Sequence, residues 1–339
     1  MKTTIARDGA GRRRAAASAA LGAALLFALA AGCSSAPKGT GESYAVRNKA
    51  AEYSKLADQA LGRGEYDTAV KIYREALEAD SSIDNVAGAA GLHASLGRAY
   101  LAAGLGAQAE REFASAIEYA RISGARSAAA LATAGLGELL YSKGDREGAL
   151  ARFEEALGLA SGDEAAAAVA LHDAATAKAA LGREAEAEAD LAKAASINRK
   201  LKRPTELASN HYVLASIRSR AGDFPGAMTA ILAALESDKK AENGPGIAQD
   251  LAAAASISLR AGKKQEAYDY WTRSFDTALA ANRPESVRKA LAALSGLAAE
   301  LGRDNDAARY AELLARLDAA EAAPASPASD KAAGKTAAP

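Results

Sequence analysis

The chain has 339 residues, enough for two average domains or one long repeat array; half of them are hydrophobic but 5% are aromatic. Much of the apolar content is alanine, which favours helices and adds little core volume, so the composition predicts many closely packed helices. Lys and Arg together number 42, as do Asp and Glu, and this balance argues against a nucleic-acid partner. One cysteine excludes an intramolecular disulfide and a cysteine-rich metal site.

The first 33 residues have the pattern of an export signal. A basic stretch ending in Arg12-Arg13-Arg14 precedes an apolar run over 15–32, and Cys33 follows directly. A basic region, an apolar region and small residues before a cleavage point are typical of a secretory signal peptide. An uncleaved signal anchor and a buried free thiol are the alternatives, although 18 mostly small residues reach only the short end of the range for a membrane span.

The stretch Leu29-Ala30-Ala31-Gly32-Cys33 resembles the lipobox of bacterial lipoproteins, with the leucine four places before the cysteine rather than three. The resemblance implies that residues 1–32 are removed and that Cys33 becomes the lipid-bearing N-terminus. Several acyl chains on one residue provide the stable attachment that one chain does not. Residues 33–45 would then be the lipidated cysteine and a flexible tether that holds the folded part off the bilayer.

A glycine recurs along the rest of the chain after each helical stretch. The spacings between successive members are 40, 40, 38, 40, 40 and 40 residues. Glycine readily takes the left-handed conformation that ends one helix and turns into the next, so each is predicted to join the two helices of a hairpin. These glycines are Gly64, Gly104, Gly144, Gly182, Gly222, Gly262 and Gly302.

Each turn glycine is followed by a fixed pattern of small and bulky residues, which lets two helices approach closely while a large side chain fills the groove between neighbours. Five places on lies an alanine: Ala69, Ala109, Ala149, Ala187, Ala227, Ala267 and Ala307. Seven further on lies another small residue in six repeats: Ala76, Ala116, Ala156, Ala194, Ala234 and Ser274. Between them lies a bulky residue: Tyr73, Phe113, Phe153, Leu191, Ile231 and Trp271. Prolines, which favour a first helical turn, mark three helix starts: Pro204, Pro245 and Pro284.

These positions resemble the tetratricopeptide repeat, whose pattern is Leu-Gly-x-x-Tyr followed by alanines that flank an aromatic residue. The second repeat has Leu96-Gly97 with Tyr100, and the third has Leu136-Gly137. The resemblance covers residues 46–320, in units about six residues longer than the usual 34. It implies an all-α fold, a right-handed α-solenoid of about seven helical hairpins. The Ala/Pro/Ser-rich tail at 321–339 is predicted to be disordered.

In this family the first helix of each hairpin lines the concave face of the superhelix. If the turn glycine is position 15, positions 2, 5 and 9 point into the groove. Large side chains at position 5 occur in two repeats, with hydroxyl groups beside them, and they form the best candidate contact patch for a partner. These residues are His172, Tyr212, Ser209, Ser216 and Thr176.

Position 9 carries alternating charge in the first repeats. Asp58, Arg98 and Glu138 follow one another there. Arg98 and Glu138 are therefore candidates for binding a charged peptide, and the alternative is that these charges pair with one another across repeats.

No catalytic constellation is visible in the sequence. The three histidines lie in three different repeats without the spacing of a helix-borne metal pair, and the glycines mark turns rather than a phosphate-binding loop. We therefore expect no enzyme activity, metal or cofactor. His93 and His211 fall at position 4 and are expected to be buried or half-buried, and Trp271 and Phe275 are expected to pack in the core near the last repeat.

Together these features predict a lipid-anchored scaffold of the bacterial cell envelope that binds a protein or peptide in its concave groove. Its membrane contact would be the lipid on Cys33, no nucleic acid is expected to bind, and the oligomeric state is left open. Ser34 favours the outer membrane, facing the periplasm, because an aspartate at this place signals inner-membrane retention in some bacteria. Two alternatives are an accessory lipoprotein of periplasmic solute transport and a pilus-assembly, outer-membrane-assembly or adhesion factor.

Overall fold

A computed structural model describes residues 41–322. The predicted signal peptide, Cys33 and the tail beyond residue 322 lie outside the described residues. The described part is a row of α-helices without a strand, and each helix packs on the next one in the chain. The helices are α1 (Gly41–Gly62), α2 (Tyr66–Ser81), α3 (Val86–Ala102), α4 (Gly106–Ser123), α5 (Arg126–Ser142), α6 (Arg146–Leu159), α7 (Glu164–Ala180), α8 (Glu184–Lys200), α9 (Pro204–Arg220), α10 (Phe224–Lys240), α11 (Gly244–Arg260), α12 (Lys264–Ala280), α13 (Pro284–Glu300) and α14 (Asp304–Ala322).

These helices form seven hairpins, α1–α2 to α13–α14, and the predicted turn glycines join the two helices of each. All seven have positive φ angles, between 70° and 88°, which confirms the prediction. In the first turn the backbone N–H groups of Arg63 and Glu65 donate to the carbonyl of Ala60 at 3.1 and 2.9 Å, so residues of the turn satisfy this carbonyl at the end of α1. The predicted prolines lie in the first turns of α9, α11 and α13.

The predicted small and bulky positions form the core. In the first six hairpins the alanine five places after the turn glycine is fully buried, and the bulky residue of the second helix is at most 5% exposed. The ring of Phe113 on α4 lies against Gly97 of α3 and Gly135 of α5, so closely that a Cβ atom on either glycine would overlap it. One bulky side chain therefore joins the two helices of its own hairpin to the next hairpin.

The helical region starts earlier than the sequence pattern indicated. Helix α1 begins at Gly41, inside the range expected for the tether, and runs 22 residues to Gly62. No proline or glycine lies in 42–61. The helix therefore continues from its buried part towards the N-terminus, because each added residue forms one more backbone hydrogen bond. Within residues 41–322, no helix is both long and apolar enough to cross a bilayer.

The first helices of the hairpins line the inner face of the superhelix. From α3 to α13 each first helix contacts the first helix of the next hairpin, and among the described residues the second helices form no comparable series. These contacts are extensive between α3, α5 and α7 and sparse from α7 to α13. The concave groove is therefore closed by close packing in the N-terminal half and widens in the C-terminal half.

The two ends of the solenoid meet at one side chain. Arg283, in the turn before α13, donates from its guanidinium to the carbonyls of Gly62 and Arg63 at 2.9 and 3.2 Å, across about 220 residues of sequence. These carbonyls end α1, where the negative end of the helix dipole favours a cation. The contact closes the superhelical turn around the groove.

We expect Gly97→Ala to destabilise the protein by about 1–3 kcal/mol, because the added methyl group overlaps the buried ring of Phe113. Gly91→Ala in the same helix is the matched control. Its added methyl group meets nothing within 4 Å, so the better helix propensity of alanine should leave stability unchanged or raise it by up to about 1 kcal/mol. Urea denaturation of both variants measures the difference, and equal midpoints would contradict the packing described here.

Candidate functional site

A cavity of about 640 Å³ opens on the concave face between α9, α11 and α13; it is called the larger cavity below. Tyr212 and Ser216, two of the predicted contact residues, line it from α9. Buried apolar side chains that include Ile257 and Trp271 form its floor. The rest of its lining combines the half-buried apolar residues Pro245, Ala252 and Ala253 with polar and cationic ones, which include Ser219, Arg220, Gln249, Ser256, Arg260, Arg283, Ser286 and Lys289.

A second cavity of about 270 Å³, the smaller cavity, lies next to it. His172 and Ser209 line it, and Tyr212 and Gln249 line both cavities. The structure therefore brings His172, Ser209, Tyr212 and Ser216 into one continuous stretch of groove, as the position rule predicted. Whether these residues contact a partner remains a prediction.

His172 is held in a fixed tautomer by its neighbours. Asn210 donates from its side-chain nitrogen to Nδ1 of His172 at 3.0 Å, and Asn198 donates to the side-chain oxygen of Asn210 at 2.9 Å. Burial lowers the pKa of His172, so the ring is neutral at pH 7 and Nδ1 stays an acceptor. The histidine thus contributes a rigid, uncharged surface to the smaller cavity.

Thr176 does not join this patch. Its hydroxyl donates to the backbone carbonyl of His172 at 3.1 Å, one helical turn back, and the residue lines neither of the two cavities. The hydroxyl is satisfied within its own helix, a common arrangement for threonine in a helix interior.

Arg98 and Glu138 belong to a separate cluster with Asp173, which the sequence analysis did not single out. Burial raises the pKa of Asp173 well above its usual value, the charge of Glu138 raises it further, and Arg98 opposes both effects. Burial likewise raises the pKa of Glu138 against the pull of Arg98. One oxygen of Asp173 is buried without a hydrogen-bond partner. The predicted charges are therefore close enough to influence one another, yet no ion pair within 4 Å joins them in the described range, and Asp58 instead accepts a hydrogen bond from Tyr73.

A buried pair of carboxyl groups lines the smaller cavity. Asp238 and Asp250 are 4% and 3% exposed, and Oδ2 of Asp250 has no hydrogen-bond partner. Burial and the neighbouring charge of Asp238 raise the pKa of Asp250 to about 8, so at neutral pH this carboxyl holds a proton. The preceding hairpin has Asn198 and Asn210 at the equivalent places, which are neutral and joined by a hydrogen bond.

Sequence reasoning missed Asp250 although the repeat itself carried a signal. The equivalent position is apolar in four other hairpins, as Leu92, Ala132, Ala170 and Ala290, and polar in two, as Glu52 and Asn210, so an aspartate there departs from the commoner apolar residue. Two arginines were also missed, because the position rule does not include them. Arg220 and Arg260 both lie two places before a turn glycine, a position that the inward-facing rule of 2, 5 and 9 does not include.

The remaining aromatic and histidine expectations hold. Nδ1 of His93 lies 2.7 Å from a carboxylate oxygen of Glu112, with the side chain 14% exposed, and His211 is half-buried. Trp271 is buried, and the ring of Phe275 packs edge-on against Tyr310 of α14 at 6.5 Å. Among residues 41–322, no group of three His, Cys, Asp or Glu residues is arranged to hold a metal ion.

Known structures resemble this fold at low sequence identity. A Rap protein in complex with competence and sporulation factor is 16% identical, with a TM-score of 0.58, and the match covers 79% of this chain and 74% of that one. BtubC from P. vanneervenii is 16% identical, with a TM-score of 0.57 over 68% of this chain and 97% of that one. The apo form of RapI is 14% identical, with a TM-score of 0.54 over 80% and 97%. Neither a protein-family model nor a curated protein sequence matches the chain.

The hairpins, their turn glycines and these structural neighbours define the fold class. The chain forms an all-α solenoid of tetratricopeptide type, built from repeats of about 40 residues. At these identities the similarity concerns the fold and does not carry a function from one protein to another.

Asp250→Asn should stabilise the protein at alkaline pH, because asparagine removes a carboxyl group that must otherwise lose a buried proton. The folded-state pKa of about 8 lies above the unfolded value of about 4, so wild-type stability falls as pH rises between these values. We expect the free energy of unfolding of the variant to exceed that of wild type by more than about 1 kcal/mol at pH 8.5. At pH 4 the two free energies should differ little.

Urea denaturation between pH 4 and pH 8.5 measures this difference. The control is Asp276→Asn, which changes an exposed carboxylate on α12 and should leave the pH profile as it is in wild type. If the free energies of unfolding of Asp250→Asn and wild type differed by the same amount at every pH, the result would contradict the raised pKa of Asp250.

Proposed function

We propose that this chain is a non-catalytic, lipid-anchored scaffold of the bacterial envelope, which docks a protein or peptide segment in its concave groove. Cys33, outside the described residues, would carry the lipid after removal of residues 1–32, and the outer membrane facing the periplasm is the proposed location. The solenoid at 41–322 would then be a binding surface held at the membrane by residues 34–40.

The observation that carries this proposal is the continuous stretch formed by the larger and smaller cavities. It spans the first helices of several hairpins, and Tyr212 lies where the two cavities meet. A partly exposed aromatic ring beside hydroxyl and amide groups is a typical anchor point of a protein interface. An elongated groove of this kind suits an extended or helical segment better than a compact solute.

The comparisons support the proposal at the level of fold. The Rap structure of similar fold contains a second molecule, competence and sporulation factor. The alternative of carrying an apolar solute is less well supported, because the larger cavity is lined by hydroxyl groups and cations rather than by a run of large aliphatic side chains.

Site-specific photo-cross-linking in intact envelopes tests the docking surface. A photoreactive residue at Ser216, inside the groove, should capture a partner, and the same residue at Arg111, exposed on α4 outside the two cavities, should not. Tyr212→Ala combined with His172→Gln should remove the product at Ser216, because it removes the aromatic anchor and alters the surface beside it.

The matched control is the double variant His93→Gln with Tyr119→Ala, which changes the same residue types where His93 and Tyr119 stack between α3 and α4. It should leave cross-linking from Ser216 intact, and thermal unfolding of both double variants shows whether each still folds. Capture from Arg111 with none from Ser216 would refute the groove as the docking surface.

Cys33→Ser tests the lipid anchor. Without the thiol no acyl chain can be attached, so the protein should shift from the membrane fraction to a soluble form or to an uncleaved precursor of higher mass. Fractionation followed by immunoblotting measures the shift. Membrane-bound protein of the mature size in this variant would disprove the anchor.

A further inference from the structure

The charged groups that line the larger cavity all have the same sign. Its lining contains four cations, Arg220, Arg260, Arg283 and Lys289, and no carboxylate. The described chain as a whole contains many acidic residues, so this segregation is a local property of the groove. A concave surface lined by charges of one sign concentrates the electrostatic potential and attracts ligand groups of the opposite sign.

Two of these cations are held in place by neutral groups. The guanidinium of Arg260 donates to the hydroxyl of Ser219 at 2.7 Å and lies 5.6 Å from the centroid of the Phe224 ring. Arg283 donates to two backbone carbonyls at the end of α1. Neither set of partners carries a formal negative charge, so the positions are fixed while no carboxylate neutralises either guanidinium.

The other two cations have unused donors. Arg220 and Lys289 are exposed, and neither makes a hydrogen bond or ion pair with a residue in 41–322. Elsewhere many arginines and lysines of the described range pair with a nearby acid, as Arg183 does with Glu186 at 2.6 Å. The cavity therefore presents four positive charges to whatever enters it.

The smaller cavity has the opposite character. Asp238 and Asp250 line it without any lysine or arginine, and the neutral ring of His172 adds no positive charge. Asp250 holds a proton at neutral pH, so the negative charge of this cavity lies on Asp238. The groove thus changes from weakly acidic at the smaller cavity to basic at the larger cavity. Such a change of sign along a groove disfavours one of the two orientations of a bound segment.

We propose that the larger cavity binds a carboxylate-bearing segment of the protein partner, with acidic side chains on Arg220, Arg260 and Lys289 and an apolar side chain against Trp271. This proposal rests on the groove-docking function proposed above and specifies the chemistry of its partner. Arginine guanidinium groups match planar carboxylates with two parallel hydrogen bonds. The cations lie on three different elements with hydroxyl and amide groups between them, so they suit several carboxylates along a chain better than one compact anion.

A pair of labelled hexapeptides tests the proposal on the full chain in nonionic detergent. Fluorescence anisotropy should detect binding of Glu-Glu-Leu-Glu-Glu-Leu, and the peptide with glutamine at the four glutamate positions should bind at least tenfold more weakly. Arg220→Gln combined with Lys289→Gln should lower the affinity for the acidic peptide at least tenfold and make that affinity less dependent on salt concentration. These two side chains hold no other described residue, so the variant should fold like wild type.

The matched control is Lys71→Gln combined with Arg111→Gln, which removes two exposed charges on α2 and α4 outside the larger cavity. It should bind the acidic peptide like wild type. Equal affinity for the two peptides, or loss of affinity in this control as large as in the groove variant, would overturn the proposal. Inorganic phosphate that displaces the acidic peptide at low millimolar concentration would also overturn it, because the site would then recognise a small oxyanion.

The cross-link at Ser216 separates this proposal from the function on which it rests. A partner that is captured there from wild type and equally from Arg220→Gln with Lys289→Gln refutes the acidic segment and leaves groove docking intact. A partner that is absent from wild type refutes groove docking itself.

Discussion

The packing of one bulky side chain per hairpin against small residues of the neighbouring helices is the contact on which the rest of the structure depends. The chain is poor in aromatic residues, and Phe113 lies in a gap that exists because Gly97 and Gly135 have no side chains. Removing a buried aromatic side chain costs about 3–5 kcal/mol. Solvent screens an exposed ion pair such as Arg121 with Glu118, so core packing rather than surface charge holds the hairpins together.

The spacing between the first helices of neighbouring hairpins determines where the groove opens. At the position of Gly135 in α5, the next two hairpins have Asp173 in α7 and Val213 in α9. Contacts between the first helices are still extensive between α5 and α7, where Asp173 stands, and become sparse from α7 onwards, where Val213 follows. The larger and smaller cavities lie in this C-terminal half, where the first helices pack less closely on one another.

Arg283 connects the closure of the solenoid with the chemistry of the groove. It holds the end of α1 by two backbone carbonyls and also lines the larger cavity. The groove is therefore bounded by a polar contact between the ends of the array rather than by a large apolar interface. The inner face combines this cationic region with the buried carboxyl pair of Asp238 and Asp250, so its charge pattern is uneven although the whole chain is formally neutral.

The sequence by itself determined the repeat. Each hairpin needs a turn glycine with positive φ and small residues at fixed spacing, and because these requirements act within one hairpin they recur in the sequence at a fixed period. It also predicted that Tyr212 and His172 face the groove, since one position rule applies to every first helix. It did not reveal Asp250 beside Asp238, the cations of the larger cavity or the contact of Arg283 with α1. Those arrangements depend on how far each hairpin is separated from the next and on where the superhelix returns to its start. The separation of the hairpins and the closure of the superhelix each result from many small differences in packing along the array, so only the tertiary structure decides them.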